Sequence, residues 1–114
     1  MRTLTIRQPW AGLIALGVKD VERRTWAPPD DMIGDRFAVH AGKWDDDPRR
    51  THVIAALDDD ALADRLVDIH GFIVCTVRLV DAHFDSGLWQ WQLSDARRVR
   101  NSPFLRGRPG IWHS

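Results

Sequence analysis

Four side chains able to recognise or act on a polar ligand fall within eight consecutive residues: Lys19, Glu22, Arg24 and Trp26. On an extended segment the two-residue period places Glu22, Arg24 and Trp26 on one face. A carboxylate, a guanidinium and an indole can then converge on one ligand. Such a set suits a nucleotide: the indole stacks on the base, the carboxylate accepts from an exocyclic amine, and Arg24 or Lys19 meets phosphate. The alternative is an ion pair of Glu22 with Arg24 or Lys19 that only braces the fold. Composition singles out the same segment. The basic residues are 14 Arg and two Lys, and the acidic residues are 15 Asp and one Glu. A chain biased toward Arg and Asp, as a codon bias would produce, keeps its only Glu and one of its two Lys here. Only Lys offers a compact ammonium whose pKa moves readily on burial.

Further candidates lie nearby. Gln8 and Trp10 flank Pro9 at an expected helix start, where free N–H groups can meet an anion and the Gln8 amide can read a base edge. Trp10 fits the core as well as the surface. His40 ends an expected strand and either faces the same cleft or is a hydrogen-bonded structural residue. The five histidines show no metal-ligand spacing, and the single cysteine, Cys75, excludes both an internal disulfide and a multi-cysteine zinc site. The expectation is no metal and no cofactor. No G-x-S-x-G, phosphate-binding loop or Cys/His arrangement supports other chemistry.

The net charge of zero hides an uneven distribution. Residues 1–26 hold five basic and two acidic groups, residues 45–68 three basic and eight acidic, and residues 96–114 five Arg and no acid. Brought together, the two ends form a positive face suited to a polyanion. On this reading Arg97, Arg98, Arg100, Arg106 and Arg108 supply phosphate contacts beside the cleft, and Gly107 permits close backbone approach to the ligand. Ordinary solvation and pairing with the acidic middle is the alternative.

These groups must be carried by one small domain: 114 residues, 44% hydrophobic, is near the modal size for a self-sufficient core. No long apolar run or signal-peptide pattern is present, so a soluble cytoplasmic protein without membrane association is expected. Thr3–Ile6 reads as a short strand, and a helix of barely two turns follows Pro9 and ends at Gly17. Val21–Trp26 can be extended, Ala27–Asp31 is a loop, and Arg36–Ala41 is a strand. Arg50–Leu57 and Ala61–His70 have helical spacing, with Asp58, Asp59 and Asp60 as capping groups. Phe72–Val80 is the longest and most central strand, Leu88–Leu93 alternates as another, and Val99, Phe104, Ile111 and Trp112 mark closing strands. The pattern describes an α+β fold, a small barrel of five to six strands with short helices inserted.

The segment LTIRQPWAGLIALGVKDVERRTW, the strand ending Val39-His40-Ala41-Gly42-Lys43, HGFIVCTVRLVD and the carboxy-terminal RGRPGIWH together resemble the ASCH (activating signal cointegrator homology) family. The resemblance covers nearly the whole chain in order. It implies a single PUA-like β-barrel domain over residues 1–114, with a cleft, in a fold associated with binding RNA or DNA and in some relatives modified or flipped bases. The family's G-x-K-x-x-E-x-R-x-W stretch corresponds here to Gly17, Lys19, Glu22, Arg24 and Trp26. Some small relatives resemble amidohydrolases acting on acetylated cytidine, with a lysine and a threonine in this segment and a glutamate further along. Lys19 matches the lysine, but Glu22 stands where the threonine nucleophile would be, Thr25 is out of register, and no second Glu exists. The expected function is therefore a nucleic-acid-binding module, RNA or DNA, with ligand-binding residues Gln8, Trp10, Lys19, Glu22, Arg24, Trp26 and His40. The competing class is a metal-independent hydrolase, a ribonuclease or an acetylated-cytidine amidohydrolase, with Lys19 and Glu22 as its catalytic residues. A third is a binder of free nucleosides or small metabolites.

Overall fold

The computed structural model describes residues 1–45, 48, 49, 52, 55 and 61–114. The chain runs β1 (Arg2–Gln8), α1 (Trp10–Ala15), β2 (Val21–Arg24), a 3-10 turn at Asp30–Met32, β3 (Arg36–Trp44), α2 (Ala61–Asp68), β4 (Ile73–Asp85), β5 (Leu88–Arg98) and β6 (Ile111–His113). The expected helix over 50–57 falls largely outside the described residues, and the capping groups Asp58, Asp59 and Asp60 fall wholly outside them. Among the described residues no helix is long and apolar enough to cross a membrane.

Among the described residues six strands form one mixed sheet in the order β2-β5-β4-β3-β1-β6. Only β1 and β3 run parallel; the other neighbours are antiparallel. Of the expected Phe72–Val80 strand, Ile73–Val80 lie within the 13-residue β4, one of the two middle strands of the sheet, and Phe72 precedes it. The core is built on the inner face by Leu4 and Ile6 of β1, Phe37, Val39 and Ala41 of β3, and Leu79 and Trp91 of β4 and β5, with Ile14 of α1 packed against them.

Helix α1 ends as its sequence dictates. Gly17 takes φ +76°, and the Val18 and Gly17 N–H groups bond the carbonyls of Leu13 and Ile14 at 3.0 Å each. This closure satisfies orphan carbonyls and turns the chain so that Lys19 follows the helix directly into β2. The glycine inside α1 has a different cause. A Cβ at Gly12 would collide with the backbone of Leu66 and Val67, so the two helices meet in contact there.

Two expectations require correction. The sheet is not closed into a barrel: its edge strands β2 and β6, four and three residues long, do not pair with each other, and a cleft remains between β2 and the β1–β6 edge. Val99 and Phe104 lie on no strand, because residues 99–110 are held instead by isolated bonds. Val99 N–H donates to Val74 at 3.0 Å, Leu105 N–H to Gly71 at 2.7 Å, and Ile73 N–H to Ser102 Oγ at 2.9 Å.

Candidate functional site

The open side of the sheet holds a cleft of about 670 Å³ lined by β1, β2, the α1–β2 connection and the turn before β6. Its size is in the range of small-ligand sites. Among the described residues, six of its side chains are basic (Arg7, Lys19, Arg23, Arg24, Arg49, Arg108) and two acidic (Glu22, Asp45). A chain with no net charge has thus gathered a cationic pocket.

Three of the four side chains singled out by sequence, Lys19, Glu22 and Arg24, line the cleft. Glu22 is opposite Trp91 in the β2–β5 ladder, and opposed residues share a face, so the carboxylate points inward with the core. Its Oε1 lies 3.5 Å from Lys19 Nζ and its Oε2 3.1 Å from Arg24 Nη2. Lys19 also donates to the Val21 carbonyl. Burial pushes the Lys19 ammonium below its usual value, an effect that the neighbouring Glu22 carboxylate opposes in part. Arg24 donates from Nη2 to the Thr5 carbonyl at 2.9 Å and so ties β2 to β1 across the cleft floor. Among the described residues, its Nε is a buried donor with no acceptor. That is an unusual state for a buried polar group.

Trp10 lines the cleft, donates from Nε1 to Asp45 Oδ2 at 3.1 Å, and has the Arg49 guanidinium 5.4 Å above its ring. Arg108, with Pro109 and Gly110, lines the opposite rim. Sequence reasoning missed Arg7, Arg23, Arg49 and Asp45. The basic character of the first 26 residues was the only signal for the first two, and nothing local pointed to the others.

Other expected members lie elsewhere. Gln8 is 0% exposed and does not line the cleft. Its Oε1 accepts from the Gly12 N–H at 2.9 Å, and its Nε2 donates to Leu66 and Ile69 carbonyls at 2.6 and 2.8 Å. The amide is committed to clamping the start of α1 onto the end of α2. The N–H expected to greet an anion is capped by Gln8 itself. Trp26 lies beyond the end of β2, where the chain bends away from the strand period. Its ring packs edge-on against Trp91, centroids 5.1 Å apart, and it does not line the cleft.

His40 is 2% exposed and also outside the cleft. Its Nε2 lies 2.8 Å from the Leu105 carbonyl, which can only accept, so Nε2 carries the proton. Nδ1, 3.2 Å from Thr5 Oγ1, then accepts from that hydroxyl, which in turn accepts from Trp112 Nε1 at 3.0 Å. The chain Trp112 to Thr5 to His40 to Leu105 fastens residues 105–112 onto β1 and β3. Gly107 belongs to the same seam: a Cβ there would sit 3.1–3.3 Å from Thr5 and His40, so its close approach is to protein. Arg97, Arg98 and Arg100 do not line the cleft, and neither does Arg106. Arg97 Nη2 pairs with Asp95 Oδ2 at 2.9 Å. Among the described residues no group of three His, Cys, Asp or Glu is placed to hold a metal ion. No protein-family model matches the chain, and no curated protein sequence matches it.

Proposed function

We propose that the chain is a nucleic-acid-binding domain of the ASCH type, a PUA-like fold whose cleft takes a nucleotide of RNA or DNA. The observation that carries this reading is the charge of the cleft, six basic side chains to two acidic among the described residues of a molecule of zero net charge. Three details support it. Among the described residues, Arg24 Nε is a buried donor lacking an acceptor. The Glu22 carboxylate, held between Lys19 and Arg24, is an oriented acceptor for a base amine. The curled sheet is drawn together at the cleft by the Arg24 side chain, consistent with a barrel-like fold opened at one seam.

The test is a salt series with labelled single-stranded RNA and DNA. Affinity should fall steeply with salt, and Arg7→Ala or Arg108→Ala should each reduce the slope by about one. Arg106→Ala, outside the cleft, should leave the slope unchanged. Absence of binding at low salt sinks the reading.

One observation favours a second reading. The Lys19 ammonium, made more acidic by burial and 3.5 Å from Glu22 in a ligand-sized cleft, is suited to proton transfer in a metal-independent hydrolase. Cleavage of RNA, or release of acetate from acetylated cytidine, in the presence of chelator and abolished by Lys19→Ala, would establish it.

A further inference from the structure

One row of side chains crosses three strands beside the cleft. Arg24 on β2 stands opposite Trp89 on β5, and Trp89 stands opposite Phe84 on β4. Directly opposed residues of antiparallel strands project to the same face. The neighbouring row, Glu22–Trp91–Ala82, marks that face as the inner one, because Trp91 is in the core and Ala82 packs against it. A register shift between Leu79 and Asp81 makes this possible: with one residue added, Ala82 and Phe84 follow Leu79 onto the inner face. The row is graded from wet charge to bare ring. Arg24 lines the cleft, Trp89 is half-buried against the core, and Phe84 is 60% exposed. The two rings are 5.8 Å apart at 61°, and Leu88, next to Trp89, is itself a cleft wall. The aromatic edge of the β4–β5 hairpin is therefore continuous with the cationic cleft.

We propose that Phe84, seated on Trp89, is a stacking platform for the base that follows the nucleotide in the cleft. The ligand is then single-stranded nucleic acid longer than one nucleotide, in preference to a free nucleotide or a duplex. This inference rests on the nucleic-acid reading of the cleft. Adjacent strands are spaced about 4.8 Å apart, so Phe84 sits about 10 Å across the sheet from the Arg24 strand. A strand whose phosphates lie on Arg23 and Arg24 reaches the hairpin within the next nucleotide or two, where the exposed Phe84 ring offers an apolar face to a base. Asp85 at the hairpin turn repels phosphate from the tip and imposes that orientation. Bases of a duplex are already stacked and present no free face, whereas every unpaired base does.

The experiment measures binding of short oligouridylate and of uridine monophosphate to the wild-type chain, Phe84→Ala and Phe84→Trp. Phe84→Ala should weaken the oligonucleotide about fivefold or more. It should leave the mononucleotide and the salt slope unchanged, because no charge is removed. Phe84→Trp should restore affinity, and an oligonucleotide with abasic positions should bind wild type and Phe84→Ala alike. If the wild-type chain binds both ligands and Phe84→Ala binds the oligonucleotide equally well, the platform is wrong while the cleft stands. If the wild-type chain binds neither, the cleft reading fails and takes the platform with it. A dimer seen by sedimentation and lost in Phe84→Ala, with oligonucleotide binding unaltered, assigns the surface to a second copy of the chain and overturns the proposal.

Discussion

Arg24 Nη2 lies 2.9 Å from the Thr5 carbonyl and 3.1 Å from Glu22 Oε2, so one guanidinium joins the edge strand β2 to β1 while holding the buried carboxylate of the cleft. Arg24→Met should lower unfolding free energy by about 1–3 kcal/mol in urea titrations, because a hydrogen bond to a charged group is lost and Glu22 keeps only Lys19. Arg24→Lys should not restore it, since the shorter lysine side chain ends before the position that Nη2 occupies between the two acceptors. Full stability in both variants would show that the bridge contributes nothing.

Gln8 belongs to the framework, and Gln8→Glu isolates the reason. The substitution keeps the shape but turns a donor facing two carbonyls into a carboxylate. Loss of about 3 kcal/mol or more is expected at neutral pH. Lowering the pH should recover part of it, because the protonated acid can again donate one bond. Thermal unfolding of wild type and variant across the acidic range measures this, and a pH-independent difference would contradict it.

Thr5 Oγ1 both accepts and donates in the Trp112–Thr5–His40 chain. Thr5→Val, which keeps the volume and removes the hydroxyl, should cost about 1–3 kcal/mol by leaving Trp112 Nε1 and His40 Nδ1 unpaired. Thr5→Ser should restore most of it. Nitrogen NMR should find the proton of neutral His40 on Nε2. A proton on Nδ1 instead would leave the Leu105 carbonyl without its donor and overturn this assignment.

Lys19 provides a pH signature. Burial lowers its pKa in the folded chain below the 10.5 of an ordinary lysine, so between the two values the unfolded chain binds more protons. Stability then rises with pH through that window. Relative to Lys19→Met, the wild-type chain should gain stability as pH climbs toward 10.5. Cys75, 0% exposed, has its thiol pushed up to about 12 by burial, and its ionisation in the unfolded chain pulls the other way above pH 9.0. Both chains carry Cys75, so its effect cancels in the comparison. A flat difference between them would show that Lys19 is solvated as an ordinary surface amine.

Local chemistry was enough to read much of this molecule from its sequence. Thr3–Ile6 and Arg36–Ala41 are strands as their residue types predict, the alternation of Trp89–Gln92 follows from the two-residue period of strands, and Gly17 ends α1 because only glycine takes φ +76° without strain. The same period placed Glu22 and Arg24 together, and they are together in the cleft. It failed for Trp26 because β2 stops at Arg24, and where a strand stops depends on its partner β5. Gln8 was misplaced for a similar reason, and of the two alternatives for His40 the hydrogen-bonded structural one holds. Their hydrogen-bond partners Leu66, Ile69 and Leu105 are 58, 61 and 65 residues away, so a polar side chain that looked free was already satisfied. Of the five carboxy-terminal arginines, only Arg108 reaches the cleft, because the turn before β6 crosses the cleft rim while β5 carries Arg97 and Arg98 to its far end, opposite Thr76 and Cys75. Residue type and short-range spacing are properties of the chain, and they determined which groups could act. Which of those groups face one cavity is settled by sheet order and long-range hydrogen bonding, which no local window contains.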